Sequence, residues 1–135
     1  MNSTIRFSYT PVSEFGANVP YIPLTLQYQG RSLEVEGLVD TGASVNVLPY
    51  ELGVQLGARW EKQPKQLTLT GNLANYDARG LTVSGTVGTF RPVHLVFAWT
   101  RMRDVPVILG QMNFFLAFNV CIFGTQGIVE MAPSS

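Results

Sequence analysis

One aspartate stands in a setting that points to chemistry. Asp40 follows the apolar run GLV at 37–39, and Thr41 and Gly42 come directly after it. A carboxylate at the end of a buried strand loses hydration, which is costly unless hydrogen bonds or a reaction use the group. Gly42 permits a tight turn and the close approach of another backbone. The pattern predicts a strand that ends by projecting a carboxylate out of a sheet.

Two such carboxylates side by side could hydrolyse a peptide bond. One carboxyl group can act as a general acid or as a general base, but a pair can do both at once. Because like charges about 3 Å apart cannot both ionise, the pair shares one proton. The ionised member then takes a proton from water, while the protonated member donates to a carbonyl oxygen. This route needs no covalent intermediate.

The chain offers no second carboxylate in an equivalent position. Asp77 lies in the turn-like stretch NYDARG and Asp104 in the loop-like stretch TRMRDVPV, and none of the six glutamates is better placed. The second acid is therefore expected to be Asp40 of another copy, since two-fold symmetry brings identical residues face to face. If the site is catalytic, the protein is a homodimer.

The elements that position Asp40 follow from alternation and turn residues. YIPLTLQY and LEVEGLV predict two strands, and VNVLPYELGVQLG predicts a short helix with Pro49 in its first turn and Gly57 at its end. KQLTLT and ARGLTVSG predict a hairpin with GNLANY at its tip. Further strands are predicted in GTVGTFRPVHLVFAW and VPVILG, a helical turn or two in QMNFFLAF, and a closing hairpin in NVCIF and IVEM. Many short strands with Gly-rich turns indicate an all-β, barrel-like domain.

Length and composition narrow the class of protein. The 135 residues fit one domain, and only 13% of them are charged, with zero formal net charge. Such a low-charge chain is a weak indication of an apolar interface. Because no basic stripe is present, nucleic acid is not an expected partner. The start of the chain has no secretory pattern and no apolar stretch could span a bilayer, so we expect a cytoplasmic protein without membrane contact.

Two single residues bear on metals and thiols. Cys121, in the apolar stretch FNVCIF, is expected to be a small buried hydrophobe. His94 has no second histidine to join it, so no metal site is expected.

The sequence resembles the retropepsin family, the single-domain aspartic proteases of retroviruses and their cellular and bacterial relatives. LVDTGASVNVL carries the first likeness, and PVILG at 106–110 resembles the second signature of the family. The predicted hairpin tip at 71–76 stands where members carry the flap that closes over substrate. The resemblance covers roughly residues 21–131. It implies an all-β, retropepsin-like acid protease barrel with one or two short helices, active as a two-fold homodimer.

The resemblance also implies a role for each matching residue. Asp40 would be the acid–base residue, and water between two Asp40 side chains would be the nucleophile, so no metal or cofactor is implied. Thr41 would hydrogen-bond across the dimer axis. Gly42 would shape the turn and accept a hydrogen bond from substrate backbone. Substrate-binding positions would be Leu38, Ala43, Pro106 and Ile108, together with Gly71, Asn72, Leu73 and Ala74 of the flap.

The sequence departs from the viral pattern at the dimer brace. Viral members usually have an acid at the position of Ser44 and an arginine at the position of Gln111, so that ion pair is missing here. Ser44 and Gln111 are expected to supply a neutral hydrogen bond instead, which is weaker than a charge-assisted one. Residues 1–20 are expected to be an N-terminal arm or interface segment, and residues 21–135 the protease domain.

Other functions stay open beside an aspartic endopeptidase. Asp40 could simply cap a turn through its own backbone. The chain could be a catalytically weak or inactive peptide-binding or dimerisation module with the same fold, or a general ligand-binding β-barrel. The intact Asp-Thr-Gly favours the protease, because a scaffold has no need of a costly carboxylate pair.

Overall fold

The computed structural model describes residues 3–14, 16–63, 78–102 and 104–134. No helix in these ranges is long and apolar enough to cross a membrane. The helices are α1 (Tyr50–Gln55) and α2 (Phe114–Ala117), and a 3₁₀ turn covers Trp60–Lys62. The strands are β1 (Ile5–Ser8), β2 (Thr10–Val12), β3 (Ala17–Val19), β4 (Tyr21–Tyr28), β5 (Arg31–Val39), β6 (Asn46–Pro49), β7 (Ala78–Thr86), β8 (Val93–Thr100), β9 (Val107–Leu109), β10 (Phe118–Phe123) and β11 (Ile128–Pro133).

Six strands close into a barrel in the order β4-β5-β9-β6-β8-β7. Successive side chains of a strand point to opposite faces of the sheet. In β4, Ile22, Leu24 and Leu26 therefore lie buried on one face. β9 runs parallel to β5 and antiparallel to β6, so it lies between the strand that leads into Asp40 and the strand that follows it. The loop at 40–45 must therefore pass over the end of β9.

An aromatic cluster fills the barrel where α1 packs. Trp99 is fully buried, stacks on Tyr50 with ring centroids 5.6 Å apart, and meets Trp60 edge-on at 5.1 Å. Its indole Nε1 donates a hydrogen bond of 3.0 Å to the Tyr50 carbonyl oxygen. Gly53 of α1 lies against this ring, and a Cβ there would come within 2.2 Å of the indole. The helix can approach the barrel only because residue 53 has no side chain.

A second sheet joins the two ends of the chain in the order β1-β11-β10. β1 pairs antiparallel with β11, and an ion pair of 2.6 Å joins Arg6 Nε to Glu130 Oε2. β10 pairs with β11 along one edge, and within the described residues its other edge has no partner strand. This open edge carries the exposed Cys121 and Ile122.

The structure confirms the all-β barrel and most of the predicted elements. The predicted helix is only partly right: α1 begins at Tyr50, whereas residues 46–49 of the same stretch form strand β6, and Pro49 is extended and precedes the first turn. The predicted stop, Gly57, has a φ of +85°, and the predicted closing hairpin is β10 with β11. The predicted burial of Cys121 is wrong, because β10 is an edge strand with solvent beside it. The hairpin predicted from KQLTLT and GNLANY lies outside the described residues, apart from its returning strand β7.

Candidate active site

The loop after β5 holds Asp40 over the end of β9. The Asp40 amide donates to the Leu109 carbonyl oxygen at 3.1 Å, and the Ala43 amide donates to the Asp40 carbonyl oxygen at 3.1 Å. Asp40 is half-buried, whereas Thr41 and Gly42 are exposed. The carboxylate is therefore carried on a short loop whose backbone is tied both to itself and to the barrel.

The Asp40 carboxylate has one oxygen engaged by its own loop. The Gly42 amide donates to Oδ1 at 2.9 Å, and a Cβ on Gly42 would lie 3.3 Å from the same oxygen. This bond is the local cap that a purely structural turn would also show. In the described part of the chain, Oδ2 makes no hydrogen bond, so it has both lone pairs available as acceptors.

Backbone hydrogen bonds join the segment at 109–112 to the loop that carries Asp40. The amides of Gln111 and Met112 donate to the carbonyl oxygens of Ala43 and Ser44, both at 2.9 Å. Between Leu109 and Gln111, Gly110 passes so close that a Cβ would lie 2.5 Å from the Val45 carbonyl oxygen. The Ile-Leu-Gly sequence thus has a physical reason to end in glycine.

Gln111 makes a different bond from the predicted one. Its Nε2 donates to the carbonyl oxygen of Thr41, on the Asp-Thr-Gly loop itself, rather than to the side chain of Ser44. The predicted pairing of Gln111 with Ser44 is therefore not what the described residues show: Gln111 makes a neutral hydrogen bond within its own chain, to the backbone of the loop that carries Asp40. Sequence reasoning could not choose between these acceptors, because the partner of a long, flexible amide depends on the tertiary structure.

Of the apolar positions predicted to contact substrate, Leu38 and Ile108 lie at the base of this loop, whereas Pro106 lines a separate groove with Tyr21 and Glu36. Leu38 and Ile108 are register partners in β5 and β9, one pair before Val39 and Leu109, and both are half-buried. Ala43 and Pro106 are also half-buried. The structure thus brings Leu38 and Ile108 together below Asp40. Gly71, Asn72, Leu73 and Ala74 lie outside the described residues.

A groove of about 440 Å³ lies beside Thr41. Its other walls come from Phe115 and from the open edge of β10, including Cys121 and Ile122. Three of the large apolar side chains exposed in the structure fall in the same stretch of chain: Met112 is 66%, Leu116 73% and Ile122 40% exposed. We call this surface, Thr41 with residues 112–122, the β10 face.

Asn46 is a site residue that the sequence reasoning missed. It starts β6, is fully buried, and hydrogen-bonds to the amide of Gly110. Asparagine is depleted in strands, and a buried amide requires partners. Its position inside the apolar run VNVLP was therefore a usable signal.

The described residues include no group of three or more His, Cys, Asp or Glu side chains that could hold a metal ion. The donors near Asp40 are instead backbone amides and the side-chain amide of Gln111. This arrangement suits acid–base chemistry on a water molecule.

Comparisons with known proteins agree with this geometry. The family model described as aspartyl protease matches residues 24–113. A retropepsin-like aspartic protease from Rickettsia conorii is similar in structure, with a TM-score of 0.64, 19% identity, and coverage of 99% of this chain and 97% of that chain. No curated protein matches the sequence.

Two further solved structures share the fold. The retroviral protease-like domain of Ddi1 from Leishmania major has a TM-score of 0.59 at 12% identity, covering 79% of this chain and 82% of that one. The EIAV protease complexed with the inhibitor HBY-793 has a TM-score of 0.52 at 22% identity, covering 68% and 81%. Because the family match spans more than half of the sequence and includes both Asp40 and Gly110, the chain belongs to the aspartyl protease family, and its fold is retropepsin-like.

Proposed function

We propose that the protein is an aspartic endopeptidase that acts as a homodimer, with Asp40 of each subunit in one shared active site. The observation that carries the proposal is the Asp40 loop. It leaves Asp40 Oδ2 without a hydrogen bond in the described residues, is held by the backbone of the 109–112 segment, and has apolar Leu38 and Ile108 at its base. A structural turn needs the Gly42 bond, but it does not need the rest of this arrangement.

The dimer is proposed because one chain supplies only half of the chemistry. Asp104, the other aspartate in the described residues, is exposed in a loop and does not follow a buried strand. The β10 face provides a surface for the second copy, since it includes Thr41 and combines exposed apolar side chains with a strand edge that no other described strand pairs with. Open strand edges pair readily with another chain, and a two-fold axis here would bring the two Thr41 residues and the two Asp40 loops together.

The mechanism follows from two carboxyl groups that share one proton. The ionised carboxylate takes a proton from a water molecule between them, and the oxygen of that water attacks the peptide carbonyl carbon. The protonated carboxyl group donates its proton to the carbonyl oxygen, which gives a tetrahedral diol. The carboxyl group that took the proton from water then gives it to the amide nitrogen. As the C–N bond breaks, one diol hydroxyl becomes the product carbonyl and gives its proton to a carboxylate, so that the pair again shares one proton. The Gly42 bond to Oδ1 keeps each carboxylate oriented during both proton transfers.

Substrate is proposed to bind as an extended strand with apolar side chains on both sides of the cleaved bond. Leu38, Pro106 and Ile108 supply apolar surface, and the exposed Gly42 can accept a main-chain hydrogen bond through its carbonyl. Main-chain bonds give affinity and side-chain pockets give selectivity in this mode of recognition. A flap role for residues 71–74 stays a prediction from the sequence.

Subunit mixing tests whether the active site is shared. Asp40→Asn keeps an oxygen that can accept from the Gly42 amide, so the loop should keep its shape while the acid is lost. Equal amounts of wild type and D40N are refolded together, and the activity is compared with that of wild type at the same total protein concentration. If two Asp40 residues serve one site, about one quarter of the activity remains, because random pairing makes one dimer in four fully wild type. If each chain carries its own site, about one half remains. Asp104→Asn, the same change in an exposed loop, is the matched control.

The substrate pool for that assay should be a diverse set of peptides read by mass spectrometry, with and without a pepstatin-type statine inhibitor. Cleavage that stops with the inhibitor and with D40N supports the proposal. Cleavage that D40N leaves undiminished contradicts it.

The second candidate is a peptide-binding or dimerisation module without useful turnover. The hydrogen bond from the Gly42 amide to Asp40 Oδ1 is compatible with this candidate, because a turn capped in this way is stable without any catalytic role. It predicts that the wild-type protein binds peptides as a dimer, cleaves none of the pool, and binds equally well after the D40N substitution.

A further inference from the structure

Asn46 stands out because it is a fully buried side-chain amide with every bonding partner on a different segment. Its Oδ1 accepts from the Gly110 amide at 2.8 Å. Its Nδ2 donates to the Val96 carbonyl oxygen at 3.1 Å and to Asn113 Oδ1 at 2.9 Å. One amide thereby joins β6, the middle of β8, the glycine after β9 and the residue before α2.

Asn113 completes the connection from the other side. Its Oδ1 also accepts from the Val96 amide at 2.9 Å, and its Nδ2 reaches the His94 carbonyl oxygen at 3.4 Å. The orientation of both amides is determined by backbone groups, because the amides of Gly110 and Val96 can only donate and the carbonyl oxygen of Val96 can only accept. The two side chains therefore have one consistent arrangement.

Asn46 bonds to Gly110, which is the chain neighbour of a residue that contacts Asp40 directly. Gly110, held by Asn46, follows Leu109, whose carbonyl oxygen accepts the Asp40 amide at 3.1 Å. Gly110 also precedes Gln111, whose side chain and backbone both bond the 41–43 part of the Asp40 loop. A shift of Gly110 must therefore move the partners of the Asp40 loop, since a packed interior transmits displacement rather than absorbing it.

The amides at 46 and 113 bond mainly to backbone groups, which no substitution can remove. A buried backbone amide that is left without an acceptor destabilises the fold. Hydrophobic residues at 46 and 113 could fill the same space, but they would leave the Gly110 amide without an acceptor and its position unspecified. The directional hydrogen bonds of the two amides specify where Gly110 lies.

We propose that Asn46 and Asn113 are positioning residues for catalysis: together they hold Gly110, and through Leu109 and Gln111 they fix the placement of Asp40. The proposal rests on the proposed function, because it concerns how the Asp40 loop is held for proton transfer. Neither residue touches the reacting atoms. Their effect is on the geometry of the Asp40 carboxylate, where misplacement by about 1 Å can cost about 100-fold in rate.

Substitutions at Asn113 test this with a matched pair. Asn113→Leu removes the acceptor used by Asn46 Nδ2 and by the Val96 amide. Asn113→Asp keeps that acceptor; it loses the longer donation to the His94 carbonyl oxygen and adds a negative charge at a half-buried position. Asn113→Ala, which removes the acceptor without adding bulk, serves if the leucine variant does not fold.

Amide hydrogen exchange at Asp40 reports the coupling without any need for activity. We expect N113L, or N113A in its place, to speed exchange of the Asp40 amide by at least about tenfold while N113D stays within about threefold of wild type. Amides of β11, in the other sheet, should keep their wild-type rates in every variant. Equal Asp40 exchange in the leucine (or alanine) and aspartate variants, or equal acceleration throughout the protein, would overturn the proposal.

Steady-state kinetics give the second readout. At a temperature where each variant is folded, N113L should lower kcat at least about tenfold with KM within about threefold, because an interaction that matters mainly in the transition state is lost. N113D should restore kcat to within about threefold of wild type. Unchanged kcat per folded N113L molecule would show a merely structural role. If the wild-type protein cleaves nothing, the proposed function fails while the exchange comparison still decides the coupling.

Discussion

Gly110→Ala is the substitution whose effect the structure predicts most directly. A Cβ at residue 110 would lie 2.5 Å from the Val45 carbonyl oxygen, 2.8 Å from the Val45 carbonyl carbon and 2.9 Å from the Ala43 carbonyl oxygen. All three atoms belong to backbone, so no rotamer change can relieve the contact. The 109–112 segment must move away from the loop that carries Asp40.

The cost can be worked from the bonds that this movement breaks. They are the amide of Gly110 to Asn46 Oδ1 at 2.8 Å, and the amides of Gln111 and Met112 to the carbonyl oxygens at 43 and 44 at 2.9 Å. At about 1 kcal/mol for each lost bond, the free energy of unfolding should fall by about 3 kcal/mol. For a domain of this size, that corresponds to a fall in Tm of roughly 10 °C.

Chemical and thermal denaturation at one fixed protein concentration measure the effect, since any dimer would make Tm depend on concentration. Gly124→Ala is the matched control, because a Cβ there would meet nothing within 4 Å and its φ is not positive. That control should lie within about 0.5 kcal/mol of wild type or be slightly more stable. A G110A protein as stable as G124A would refute the close packing on which the description of the Asp40 loop depends.

Three further predictions concern other parts of the molecule. Gly53→Ala should destabilise the protein by about 2–3 kcal/mol in urea denaturation, because its Cβ would fall 2.2 Å from the Trp99 indole; a gain of about 1 kcal/mol, the usual result in a helix interior, would contradict this packing. Arg6→Ala should cost less than about 1 kcal/mol by the same measurement, since its ion pair with Glu130 is exposed, and a larger loss would mean that β1 depends on that pair. The proposed dimer should dissociate to a similar extent at low and high salt in sedimentation experiments, because the β10 face contains no charged residue; steep dissociation with rising ionic strength would show a charged interface instead.

The elements of the barrel could be predicted from local pattern because each depends on neighbouring residues. Period-two alternation identified β4 and β5, and Pro49 with Gly57 marked the helix α1. Residues 1–20 were left without assigned elements, although β1, β2 and β3 lie there. Strands of three or four residues carry too little alternation to be recognised, and β1 is defined by its pairing with β11 rather than by its own sequence.

The candidate site shows the same division between local and distant information. Asp40, Thr41 and Gly42 were found because their types and order are unusual in themselves. Asn46 was missed because its meaning depends on groups far along the chain, the Gly110 amide above all.

The sequence by itself determined the reactive residue, the strand that leads into it and the glycines that its turn requires, because residue type and local order decide these features. Only the tertiary structure decided which groups hold that residue in place. The 109–112 segment lies about seventy residues from Asp40 along the chain, and its amides find their acceptors only after β9 enters the barrel between β5 and β6. Hydrogen bonds between such distant segments depend on distance and angle in three dimensions, and residue order alone contains neither.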